Sequence, residues 1–288
     1  MYAGASCLEP EGDFPSSPVA AAPPKMQRAR GHSRISFKRR DNVSCLDRLF
    51  QEGCAKIRLP RMLDAIPEAV LINTAGGLTG GDSLTTEISL NAGAQAVMTT
   101  QACERIYRST GSDAEVLTRV DLAKGARFDW LPQETILFDG GRLSRRFEAD
   151  LAEGTELLAV EALVLGREAM GETVTSGLFR DRWRIRQNGK LLFADDLRLS
   201  GDIAALAAEK AALGGNRAIA TVLLVTEDAD QLLDPLRDVI GDAGGASAWD
   251  GKLVARLAAP DSLTLRRSLI PALAVLLGGR ALPKVWQI

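Results

Sequence analysis

A five-residue phrase, Leu-x-x-Gly-small, occurs three times at intervals of about thirty residues, and it constrains the fold more than any other feature of the chain. The copies are Leu90-Asn91-Ala92-Gly93-Ala94, Leu122-Ala123-Lys124-Gly125-Ala126 and Leu151-Ala152-Glu153-Gly154-Thr155. Each follows a polar-apolar alternation and precedes a more apolar stretch. A turn that recurs between strands at this spacing calls for layered β-units that stack on one another rather than for separate hairpins. With 288 residues and 46% hydrophobic content, the chain has enough apolar material to fill the core of such a stack.

The rest of the pattern fits around that body. Residues 33–37 and 54–59 read as short strands around a polar connection, and 69–73 leads into a glycine turn. In 84–90, apolar or methyl-bearing side chains fill every second position, as in a strand with one wet face. Arg180, Arg182, Arg184 and Arg186 alternate with Asp181, Trp183 and Ile185. Asn188-Gly189 then turns the chain into 191–199, the strongest short hairpin signal in the sequence. Beyond Gly201 the texture changes: 203–213 and 230–240 predict helices, 218–225 and 252–257 strands, and Asp261-Ser262 caps a helix over 263–277 that stops at Gly278-Gly279. The expected fold is mainly β, with layered, stacked β-sheets and a smaller α/β C-terminal part. Residues 1–30, rich in Pro, Ala, Ser and Gly, are expected to be disordered, 31–202 to form the β-layer body, and 203–288 to pack on it.

Charge and cysteine usage narrow the functional classes. A net charge of −2 gives no global field that would draw nucleic acid or an anionic membrane. The basic residues between Lys25 and Arg61 form a local positive surface, for which a solvated face is the simpler reading and docking the sharper one. Cys7, Cys45, Cys54 and Cys103 share no CxxC spacing, so reduced thiols in the cytoplasm are expected. The acidic, proline-containing start lacks the head of a secretory signal, and the apolar run 269–277 is too short to span a bilayer.

No catalytic constellation stands out. Gly76-Gly77 and Gly80-Gly81 supply positive dihedrals for a tight reversal closed by Asp82, but no Lys-Ser/Thr follows and the next stretch alternates like a strand, against a phosphate loop. Cys103 has only His32 as a candidate base, which makes a Cys-dependent enzyme the weaker alternative. One histidine and four scattered cysteines give no soft-ligand metal site. Carboxylates set in apolar strands are the remaining candidates. Glu161 lies in a run apolar on both faces, one of Asp195-Asp196 must face inward, and Asp129 sits between Phe128 and Trp130. Each either pairs with an arginine or lines a polar, carboxylate-walled path that would hold a divalent ion loosely.

The order of motifs resembles one family. Gly76-Gly77-Leu78-Thr79-Gly80-Gly81-Asp82, Thr99-Thr100 and Tyr107-Arg108-Ser109 match the UreD (UreH) urease accessory proteins. So do Ala55-Lys56-Ile57-Arg58-Leu59-Pro60, Trp130-Leu131-Pro132-Gln133-Glu134-Thr135-Ile136-Leu137-Phe138-Asp139-Gly140, Leu165-Gly166-Arg167-Glu168-Ala169-Met170-Gly171-Glu172 and Leu197-Arg198-Leu199-Ser200-Gly201. The likeness covers most of 34–201 and is looser to the end. It implies a non-catalytic maturation factor, predominantly β, that binds the urease apoenzyme together with UreF and, through UreF, the GTPase UreG. It further implies an internal conduit for nickel, with no tightly bound cofactor and nickel only in transit. On that basis Asp82, Glu161 and one of Asp195 or Asp196 are expected to line the conduit. Tyr107-Arg108-Ser109 and Gln133-Glu134-Thr135 are expected to hold the sheet layers together or to border the UreF contact. A purely structural adaptor that never touches metal is the alternative. Thr74-Ala75 replaces the two prolines of many members, so the turn should be less rigid here.

Overall fold

The three glycine phrases become the turns that carry the chain from one sheet to another stacked on it. The computed structural model describes residues 1, 27–60 and 66–287. The expected disorder of the N-terminal extension falls almost wholly outside them. In chain order the strands are β1 (Arg30–Arg40), β2 (Val43–Gly53), β3 (Ala55–Arg58), β4 (Glu68–Asn73), β5 (Ser83–Leu90), β6 (Gln95–Thr100), β7 (Glu104–Ile106), β8 (Ala114–Leu122) and β9 (Arg127–Leu131). They continue with β10 (Thr135–Leu137), β11 (Arg142–Leu151), β12 (Glu156–Leu165), β13 (Gly177–Gln187) and β14 (Lys190–Gly201), and end with β15 (Ala218–Val225), β16 (Gly244–Trp249) and β17 (Lys252–Ala259). Helices α1 (Ile203–Ala208), α2 (Leu233–Ile240) and α3 (Ser262–Leu276) complete the described fold.

Among the described residues the strands form a seven-stranded sheet, ordered β14-β13-β11-β8-β5-β1-β2, and a ten-stranded sheet that runs β16-β17-β15-β12-β9-β6-β4-β3, with β10 beside β12 and β7 beside β10. The repeat is visible in the pairing. β5, β8 and β11 are parallel neighbours in the first sheet, while β6, β9 and β12 are parallel neighbours in the second. Each Leu-x-x-Gly turn joins one set to the other. Gly93, Gly125 and Gly154 all adopt φ of +67°, which a side chain would disfavour. The turns also bond to one another: Ala123 N–H donates to Leu90 O and Ala152 N–H to Leu122 O, both at 2.9 Å. Stacking therefore satisfies backbone groups that a lone turn would leave to water.

The core between the sheets follows the two-residue period. Ile35, Ile88, Val120, Ala149 and Ile185 form one inward row, and Phe147 stacks between Trp130 and Trp183 with ring centroids 6.3 and 5.0 Å away. A second core lies between the ten-stranded sheet and α2 and α3. The C-terminal strands β15, β17 and β16 extend the ten-stranded sheet from β12 by antiparallel pairing, so 218–259 continue the same layer.

Several elements differ from the sequence reading. The polar connection before β3 is the strand β2, joined to β1 by Asp41-Asn42 at φ of 50° and 65°. Its period is blurred by a bulge opposite Ser36/Phe37 and by charged residues suited to an exposed edge. The helix expected over 203–213 stops at Ala208, and the chain turns until Gly214-Gly215 at positive φ. The 230–240 helix begins as a 3-10 turn and becomes α-helical at Leu233, with Pro235 in its first turn, where proline is tolerated. β16 escaped notice because its Gly-Gly-Ala-Ser start carries no strand signal. The Asn188-Gly189 hairpin and the Asp261 cap, which accepts from Thr264 N–H at 2.7 Å, form as expected. No helix among the described residues is long and apolar enough to cross a membrane.

Candidate functional site: a polar cavity between the sheets

The strand alternation that packs the core also places polar side chains inside it. Thr86 on β5, Thr118 on β8 and Arg145 on β11 come from one sheet; Trp130 on β9, Thr135 on β10 and Glu161 on β12 come from the other. Together they line a cavity of about 180 Å³. Its rim includes Gly76, Gln101, Ala102 and Arg105, all exposed, with Asn73 and Glu104 just inside. Thr86 and Thr118 are register partners, and Ser33 on β1 continues the row by donating its hydroxyl to Thr86 Oγ1 at 3.1 Å. The row ends against Phe147 and Trp183. Leu71, Leu84, Val116 and Leu143 fill the wall between these groups, so the hollow offers a passing cation or water a limited set of oxygen ligands within a largely apolar lining.

Glu161 is the acid at the inner wall, only 6% exposed. Its carboxylate accepts from Trp130 Nε1–H at 2.9 Å and from the Arg145 guanidinium. Arg145 also grips Asp181 through Nε at 3.1 Å and Nη2 at 2.7 Å, and donates to Thr135 Oγ1 at 3.1 Å. Burial works against the Arg145 charge, but Asp181 and Glu161 more than offset it, so the guanidinium is held firmly charged. Burial raises Glu161 above the usual carboxylate range and Arg145 opposes the shift.

Glu104 stands near the rim. Burial pushes its carboxyl up to about 7, against two bonds from Asn73 Nδ2 at 3.1 and 3.2 Å. Beside it the Cys103 thiol donates to Glu134 at 3.4 Å and is pushed up to about 11 by burial and by the Glu134 charge. A nucleophilic thiolate is disfavoured there. The candidate base, His32, is bonded instead to Glu87 at 3.0 Å.

The other expected path residues lie away from the cavity lining. Asp82 is buried in the glycine turn, where it accepts from Ala29 N–H and Thr79 N–H, both at 2.8 Å. Asp195 pairs with Arg256 on β17, and Asp196 faces outward with Arg180. Asp129 is held by Arg280. For these three acids in strands the arginine-pair reading is the one the geometry presents. Among the described residues no group of three or more His, Cys, Asp or Glu is placed to hold a metal ion.

The two motif pairs are spatial partners. Tyr107 N–H donates to Leu78 O at 2.8 Å, Tyr107 hydroxyl to Gly76 O at 3.2 Å, and Thr79 hydroxyl to Arg108 O at 2.8 Å. A Cβ on Gly77 would stand 2.4 Å from the Tyr107 ring, and one on Gly80 2.0 Å from Ser109 Oγ. The outer and inner residues of the two pairs thus serve different ends: Gly76 and Gly81 supply φ of 76° and 88°, while Gly77 and Gly80 clear space for the Tyr107-Arg108-Ser109 segment. Arg108 pairs with Asp139 in the next coil. Gln133 and Glu134 both accept from Arg266 on α3, at 2.8 and 2.9 Å, and Thr135 reaches the opposite sheet through Arg145.

Asn73, Thr86, Thr118, Glu104 and Arg145 were missed as cavity residues. The alternation of 84–90 did place Thr86 on the inner face, and the spacing Leu143-Arg145-Phe147 would have placed Arg145 there too.

Stacked β-coils around an interior cavity, with α2 and α3 on the outer face of the ten-stranded sheet, define a layered β protein. The chain matches the family model described as UreD urease accessory protein over residues 29–287, and it belongs to that family. The urease accessory protein UreD of Rhizobium leguminosarum bv. viciae is 53% identical over 271 residues, covering 94% of this chain and 99% of that protein. UreD of Agrobacterium fabrum is 50% identical over 93% of this chain and 95% of its own length, and UreD of Brucella suis 51% identical over 91% and 96%. Family membership makes the chain an accessory protein of urease maturation that associates with urease and its other accessory factors, and not a catalyst.

Proposed function

We propose that this protein docks on the urease apoenzyme in the cytoplasm together with UreF and, through UreF, UreG, and that nickel passes through the cavity between its two sheets on the way to the urease active site. The observation that supports this reading is the cavity itself: a hollow with an exposed rim at Gly76, Gln101, Ala102 and Arg105, the hydroxyls of Thr86 and Thr118 set in an otherwise largely apolar lining, and an acid, Glu161, at its inner wall. Oxygen ligands from Thr86, Thr118, Glu104 and Glu161 would coordinate a divalent ion weakly enough to release it, which transit requires and storage does not. Of the four acids first considered, Glu161 is the one this route uses; Asp82, Asp195 and Asp196 serve turn and ion-pair roles.

The test is urease activation in a reconstituted complex with UreF, UreG and the apoenzyme. Glu161→Gln and the cavity-filling Thr118→Leu should lower nickel incorporation while leaving co-purification of the complex intact. Full activation by both variants would remove the cavity from the nickel path. One observation favours a structural adaptor instead: Glu161, like Asp129, Asp195 and Asp196, is engaged by an arginine. An adaptor predicts that both cavity variants activate urease like the parent chain.

A further inference from the structure

The outer face of the seven-stranded sheet carries a cluster of guanidinium groups that the nickel route does not use. Arg180, Arg182, Arg184 and Arg186 point outward along β13 because Phe179, Asp181, Trp183 and Ile185 fill the inner face. Their partners differ. Arg180 holds Asp196 with bonds of 3.2 and 2.8 Å. Arg184 donates Nη1 to the carbonyls of Trp183 and Asp195 at 2.6 and 2.9 Å. Arg182 stands directly opposite Arg146 on the parallel neighbour β11, and the Arg182 Nε is buried with no hydrogen-bond partner. Two like charges in register on adjacent strands repel one another. Neither is neutralised by an ion pair among the described residues. Two acids adjoin them and are already engaged: Glu148 is held by Arg119 at 3.1 Å, and Asp196, which stands opposite Arg182 on β14 and feels its charge, makes its hydrogen bonds to Arg180.

Arg146, Glu148, Arg182 and Arg184 enclose a pocket of about 100 Å³ on this face. We propose that this pocket binds a small, multiply charged oxyanion of the phosphate class. Three guanidinium groups face one carboxylate, and that carboxylate is bonded to a fourth arginine outside the pocket. Planar guanidinium forks match the oxygens of such an anion and would satisfy the orphaned Arg182 Nε together with the in-register repulsion. The volume suits an inorganic anion and is too small for a nucleotide. The arginines rise from paired strands on both sides, so their stems are positioned before the ligand arrives. This site lies on the opposite face of the sheet from the cavity and does not rest on the nickel route.

The probe is inorganic phosphate, titrated into the full chain at pH 7.5 and constant ionic strength, with sodium chloride as the control and binding read by calorimetry and thermal unfolding. Saturable binding beyond the chloride response is expected. Arg182→Gln and Arg146→Gln should each weaken it by about tenfold or more, whereas Arg186→Gln, exposed on the same strand but outside the pocket, should leave it unchanged. A response that never saturates, or that chloride reproduces, overturns the site. So does equal weakening by Arg186→Gln. If Arg182→Gln does not fold, Arg146→Gln decides the question alone.

Discussion

Arg145 and Glu161 meet across the space between the two sheets, one on β11 and the other on β12, and their ion pair is closed from the far side by Asp181. Removing the cation leaves two buried acids without a countercharge, each held only by an indole N–H, Trp130 on Glu161 and Trp183 on Asp181. Arg145→Leu should therefore destabilise the fold by about 3–5 kcal/mol, measured by urea unfolding. Adding Glu161→Leu should recover part of that loss, because the double change deletes one of the uncompensated charges. A loss below about 1 kcal/mol for the single variant would show that the triad does not hold the layers together.

The turn glycines predict two grades of damage. Gly125→Ala meets no neighbour and bears only the cost of φ +67°, about 1–2 kcal/mol. Gly80→Ala would drive its Cβ to 2.0 Å from Ser109 Oγ and 2.2 Å from the Ser112 carbonyl. Backbone cannot move aside as a side chain does, so the Gly80 variant should lose more stability than the Gly125 variant in thermal unfolding. The reverse order would contradict the close approach of the two motifs.

Glu104 should make stability depend on pH in a particular window. Its folded carboxyl titrates at about 7 against an ordinary 4.5, because burial disfavours the charged form. The unfolded chain therefore releases this proton first, and the contribution of neutral Glu104, complete below pH 4.5, is lost as pH rises to about 7. The loss amounts to at most about 3 kcal/mol. Glu104→Gln should flatten this part of the profile; parallel profiles for the two proteins between pH 4.5 and 7 would refute the assignment.

Cys103 should alkylate slowly. With its thiol pushed up to about 11, little thiolate exists at pH 8, so iodoacetamide should modify it far more slowly than a free thiol, which titrates near 8.5. Neutralising the neighbouring charge in Glu134→Gln should speed the reaction, provided that circular dichroism shows the fold retained. Rapid labelling of Cys103 in the parent chain would reopen the thiol-enzyme reading.

Much of this architecture was readable because its turns are written in glycine. The Leu-x-x-Gly phrase marks the three crossings β5 to β6, β8 to β9 and β11 to β12, and Asn188-Gly189 marks a hairpin whose positive dihedrals few other residues tolerate. Elements whose stability comes from neighbours rather than from their own composition were harder to see. β2 is held by β1 despite its charged sequence, and β16 by β17 despite its glycines. The cavity was legible only through Glu161, whose apolar setting on both faces required burial. Asp195 and Asp196 looked equivalent to it, but sequence cannot place Arg256 or Arg180 beside them. The spacing Leu143-Arg145-Phe147 puts Arg145 on the inner face, but its role there is unreadable until Glu161 is known to lie opposite. The glycine and Tyr-Arg-Ser motifs were both visible, yet their contact, which explains why they occur together, appears only when the coils stack.

Asp129 on β9 is neutralised by Arg280, 151 positions further along the chain, and the carbonyl of Leu131 is capped by the indole of Trp286, 155 positions away. Early coils can zip onto one another as the ribosome delivers them, since each leans on the one just made. The ninth strand cannot settle its charge until far more polypeptide has emerged. A nascent chain of this kind therefore exposes an unfinished flank throughout most of its synthesis, and the later helix and tail act as the latch that ends that vulnerable interval.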